Sequence, residues 1–124
     1  DPKTHGTLSP GLLAEFDLPA EITDAIVMHN EDAAPRMRQS RIEHALAAGE
    51  TITGLITATT YVYPDRKIMS VKPKSIIKRM KEKHFAASVK RENILECEKI
   101  GIPLEQFVEL SLSAMQSISG DIGL

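Results

Sequence analysis

The stretch from Thr51 to Tyr63 is crowded with β-branched side chains: Thr51, Ile52, Thr53, Ile56, Thr57, Thr59, Thr60 and Val62. Propensity alone favours a strand there. A strand needs a partner, no second stretch of the chain reads as one, and a lone strand is not stable. The segment is therefore predicted to be helical, continuing from Glu50, and the chain is predicted to be all-α. On that helix Glu50 shares a face with Leu46, Thr53, Gly54 and Thr57, whose small members leave room for an ion or a ligand.

Helix-start signals recur elsewhere. Ser9-Pro10 reads as an N-cap followed by proline at the first helical position, opening a short helix through Phe16. Leu18-Pro19-Ala20-Glu21 repeats the pattern. The helix it opens carries Ile22, Ala25, Ile26 and His29 on one face, with His29 near its C-terminal end. Asn30 to Arg38, broken by Pro35, reads as a loop. Ile42, Ala45, Leu46 and Gly49 mark the next helix, which Pro64-Asp65 ends. Pro73 starts a helix to Lys83 with a narrow strip of Ile76, Ile77 and Met80. Arg91 to Ile100 is a further helix, stopped by Gly101. Pro103 begins the last, striped by Leu104, Phe107, Val108, Ser111, Met115 and Ile118. Gly120 to Leu124 is expected to fray. The sum is a compact bundle of about six or seven helices, and the 124 residues are read as one domain.

Composition excludes several classes. With 42% hydrophobic residues the chain can build a packed core. Aromatic residues are only 4%, too few for stacking platforms on single-stranded nucleic acid, so a nucleic-acid partner is disfavoured. Cys97 has no partner for an internal disulfide and fits a reducing, cytoplasmic setting. No apolar run approaches the ~20 residues that span a bilayer. The chain opens on Asp1 rather than Met and is read as a fragment or a processed product.

The formal charge of −2 conceals an asymmetry. Between Arg66 and Arg91 lie 10 of the 15 basic residues and a single acid, Glu82. Such a field attracts phosphates or an acidic partner, although most charge runs are solvated faces.

Three residues have the chemistry of divalent-metal ligands: His5, His29 and Glu50. Their separations are too long for one helix, so a site made from them must be assembled by several segments. Spacing alone also fits histidines that merely close a helix or fill a core. Other chemistry is thinner. Ser40 and His44 lie at helical spacing without a third group. Glu96 and Glu98 flank Cys97 and raise the pKa of its thiol, which argues against a reactive thiolate.

Asp1-Pro2-Lys3-Thr4-His5-Gly6, Ala25-Ile26-Val27-Met28-His29-Asn30, and Glu43-His44-Ala45-Leu46 through Thr53-Gly54-Leu55-Ile56 resemble the back portion of HD-domain proteins. So do Val71 to Arg79, and Lys83-His84-Phe85-Ala86 through Ala114-Met115-Gln116. The resemblance covers essentially the whole chain and looks closest to the small, stand-alone predicted HD-superfamily hydrolases. It implies an all-α fold and metal-dependent hydrolysis of a phosphate ester, often a nucleotide, with the ion open among manganese, iron, magnesium and zinc. It implies that His5 and His29 occupy ligand positions and that Glu50 stands where the family usually has its final aspartate. The family's first ligand histidine and its His-Asp pair would lie upstream of this chain, and Glu50 is one methylene longer than aspartate. In a complete site the ion would lower the pKa of a bound water and neutralise charge on the phosphoryl oxygens. Lys74, Lys78 and Arg79 are then expected to hold the substrate phosphate, an inference from their charge.

Three readings stand. The first is a divalent-metal-dependent phosphohydrolase of HD type acting on a small phosphorylated molecule or nucleotide. The second is a degenerate HD scaffold that binds a nucleotide or a partner without turnover. The third is a helical module that docks an acidic partner through Arg66–Arg91. Homo-oligomerisation is open in all three.

Overall fold

The computed structural model describes residues 3–124; the Asp1-Pro2 opening of the first motif lies outside them. The described residues contain no strand. Seven α-helices follow in order: α1 (Ser9–Leu13), α2 (Ala20–Met28), α3 (Arg41–Tyr61), α4 (Pro73–Lys81), α5 (Arg91–Ile94), α6 (Leu104–Ser117) and α7 (Ser119–Ile122). Short 3-10 turns run through Ala14–Phe16, Ile68–Ser70 and Leu95–Ile100. The fold is all-α, and none of these helices is long and apolar enough to cross a membrane.

The long α3 is the axis of the molecule. Ser40 starts it with a capping box: its side chain accepts from the Glu43 N–H, and Glu43 reaches back to the Ser40 N–H. The buried Glu43 carboxylate also takes two bonds from Arg36, at 2.6 and 3.1 Å, and one from the Gln39 N–H. The threonine-rich half is held by its buried Ile52, Leu55 and Ile56, and its buried hydroxyls are satisfied within the helix. Thr59 Oγ1 donates to Leu55 O at 2.7 Å and Thr60 Oγ1 to Ile56 O at 2.9 Å, so these buried polar atoms need no other acceptor.

Around α3 pack α2, α4, α5, α6 and the Leu95–Ile100 turn. The core is aliphatic: Ile52, Leu55 and Ile56 of α3 meet Ile68, Ile76, Ile94, Val108 and Leu112. Phe107 is its one buried aromatic residue among those described.

Several local expectations are corrected. The buried face of α3 runs through Ala47, Ala48 and Ile52, and Ile42, in its first turn, is exposed. Helix α4 ends at Lys81, before Lys83. The Arg91 helix passes into a 3-10 turn after Ile94, although Gly101 closes it as expected, at φ +82°. On α6 Leu112 is buried and Ile118 is exposed. The tail does not fray: Ser119–Ile122 forms a turn of helix and Leu124 packs against the core.

The connection from α4 to α5 is organised by one guanidinium. Arg91 donates to the carbonyls of Ala86 (2.7 Å), Val89 (2.8 Å), Glu82 (3.2 Å), Arg79 (3.3 Å) and Phe85. Its Nε is buried without a partner.

Candidate functional site

The chain reaches one open cavity of about 370 Å³ from four directions. The turn before α1 brings His5, the C-terminal end of α2 brings His29, the middle of α3 brings Glu50, Thr51, Thr53 and Gly54, and the start of α5 brings Lys90 and Asn93. The three sequence-predicted donors, His5, His29 and Glu50, therefore line the same space.

His29 is oriented by its own helix. Its Nδ1 bonds the Ile26 carbonyl one turn back. A carbonyl only accepts, so Nδ1 carries the proton and the neutral ring keeps its lone pair on Nε2. The His5 ring stands edge-on to it, with centroids 4.8 Å apart and planes at 80°. The approach depends on Gly6, which sits at φ +89° with an added Cβ only 3.1 Å from Ile26 O and 3.2 Å from His29 Cε1. Asn30 Nδ2 donates to His5 O at 3.1 Å and ties the two motifs together.

Behind the cavity a polar network holds the α2–α3 loop against α5. Arg38, whose side chain is 7% exposed, donates through Nε to both Glu96 oxygens (2.9 and 3.1 Å) and through Nη2 to Asn93 Oδ1 (2.8 Å). Its Nη1 caps the end of α2 through Met28 O and His29 O. His44 Nδ1 lies 3.0 Å from Glu96 Oε2. Asn93 passes a bond on to Glu31 at 3.0 Å, and Lys90 bonds both Glu31 and Asp32, the latter at 3.0 Å. Burial opposes ionisation of Glu31, but the Lys90 and Asn93 bonds prevail and hold its carboxyl down to about 2. Glu96 is likewise held low by Arg38 and His44 against its burial. Cys97 is fully buried, and burial first, then Glu98, pushes its thiol up.

Glu31, Asp32 and Lys90 all line the cavity. Sequence reasoning missed them as site residues, because Lys90 lies 58 residues beyond Asp32 and reads only as one member of a basic run. Lys74, Lys78 and Arg79 do not line this cavity. Lys74 and Lys78 border a groove between α4 and α6. Arg79 pairs with Glu82 and stacks on Phe85 with its Cζ 4.3 Å from the ring centre.

A metal ion needs donors that converge on one point. Among the described residues, no group of three or more His, Cys, Asp or Glu side chains is gathered closely enough to hold one. His5, His29 and Glu50 share a cavity without converging into a ligand shell. In comparisons with models of protein families, with curated proteins and with solved structures, no match to the chain was found.

Proposed function

We propose that the cavity is part of the site of a divalent-metal-dependent phosphohydrolase of HD type, acting on a small phosphorylated molecule or nucleotide in the cytoplasm. The supporting observation is that His5, His29 and Glu50, from three separate segments, line one cavity. His29 is held in the tautomer whose Nε2 is a free donor, an arrangement common to metal-binding histidines. The described residues do not by themselves make a complete shell, so the remaining donors come from elsewhere. The chain's own contribution is to present two imidazoles and a carboxylate and to line the cavity with Lys90, Asn93 and Ser88, whose donors suit phosphate oxygens, while the Thr51 and Thr53 hydroxyls donate to Glu50.

A second reading, a scaffold that binds without turnover, is favoured by the same lack of convergence. Elemental mass spectrometry on the purified chain, after exposure to manganese, iron or zinc, separates them. Bound ions that disappear in His29→Ala, followed by phosphate release in a substrate screen, support the hydrolase. Metal without turnover supports the scaffold. No metal at all removes His5, His29 and Glu50 as a working site of this chain by itself and favours the scaffold.

A further inference from the structure

Helices α4 and α6 pack against each other and leave a groove of about 470 Å³ between them. Its floor is Pro73 and the half-buried Ile77. One wall is cationic: Lys74, Lys78 and Lys81 follow one another along one side of α4. The other wall is anionic: Glu105 and Glu109, one turn apart on α6. All five side chains are exposed. No ion pair joins the two walls among the described residues; the sole ion-pair contact of the lysine row is a loose one from Lys78 to Glu82, 3.9 Å away on its own side. Beyond Glu109 the surface continues into a second hollow bordered by the exposed Met69.

A partner of one sign meets repulsion from one of the two walls. Phosphate, nucleic acid or an acidic peptide would satisfy the lysines and face Glu105 and Glu109. A second copy of this chain does not have that conflict. A two-fold axis along the groove turns each lysine row onto the glutamate row of the other copy, twice over, with the aliphatic lysine stems lying on the partner's apolar floor. We propose that the α4–α6 face is a self-complementary dimer interface, with Lys74 and Lys78 of each copy opposed to Glu105 and Glu109 of the other. This does not depend on the metal reading of the separate cavity.

Sedimentation velocity across a concentration series tests it on three proteins. The unaltered chain is expected to dimerise, more weakly at high salt. Lys74→Glu with Lys78→Glu, and separately Glu105→Lys with Glu109→Lys, are each expected to weaken the dimer ~100-fold or more. An equal mixture of the two altered chains is expected to recover a dimer, because each reversed wall again meets its opposite. All four positions are exposed, and unchanged helical circular dichroism confirms that the altered chains fold. A monomer at every concentration overturns the proposal. So does a dimer that neither reversal weakens, or a mixture that stays monomeric.

Discussion

Gly6 lies so close to His29 that a Cβ on it would stand 3.2 Å from Cε1 of the imidazole. The small residue is what lets the His5 turn lie against the end of α2. Gly6→Ala meets two penalties, a left-handed backbone at φ +89° and the contact itself. The expected loss is about 1–2 kcal/mol of stability together with a displaced His29 ring. Histidine side-chain NMR reads the second effect; an unshifted His29 resonance would show that Gly6 does not set its position.

Arg38 is expected to be among the most sensitive positions. Truncation to Ala leaves Glu96 without its charged partner and strips the bonds from Met28 O, His29 O and Asn93. Breaking a buried pair this way costs about 3–5 kcal/mol, measurable as a lower urea midpoint. A loss under about 1 kcal/mol would mean that water replaces the guanidinium.

Stability should fall in acid. Glu43 and Glu31 are both held at about 2, below the ordinary 4.5. For Glu43 the Arg36 bond is the leading cause, helped by the Gln39 and Ser40 amides. A depressed carboxyl stabilises the fold fully above its unfolded pKa, and that contribution disappears as pH falls toward the folded value. The unfolding free energy is expected to decline between about pH 4.5 and pH 2, and Glu43→Gln should flatten part of that slope. An unchanged slope would remove Glu43 as its source.

Two leucines should behave in opposite ways. Leu12 is 73% exposed on α1, a helix with no buried residue, whereas Leu55 is fully buried on α3. Leu55→Ala is expected to cost about 2–5 kcal/mol and Leu12→Gln within about 0.5 kcal/mol, both by thermal or urea unfolding. A large loss at Leu12 would show that α1 is packed in solution.

The helical architecture was legible because its signals are local: prolines at helix starts, Gly101 at a helix end, and one-face spacing. The Thr51–Tyr63 stretch reads as helical only by elimination, and its helix ends at Tyr61; the burial of Ile52, Leu55 and Ile56 that holds it depends on partners distant in sequence. Ser40-Arg41-Ile42-Glu43 carries a capping-box signature at the start of α3 that is readable in the sequence. His5, His29 and Glu50 line one space, but their spacing in the sequence fits helix-closing or core histidines equally well and does not by itself bring them together. The bonds among Arg38, Asn93 and Glu96 could not be expected either, because contacts between residues so far apart leave no periodic trace. The basic run misled in part: Lys90 and Arg91 are engaged with carboxylates and carbonyls, so the run is not one surface.

Arg91 makes the connection from α4 to α5 resemble a macrocycle closed around a cation. Five carbonyls turn inward to a single fixed charge, which adds a template to the loop's own turn bonds onto Arg79 O, Glu82 O and Ala86 O. The two terminal nitrogens of the guanidinium share four N–H groups among five oxygens, whereas an ammonium has three protons. The substitution Arg91→Lys, which keeps the charge, would therefore leave the loop without its template.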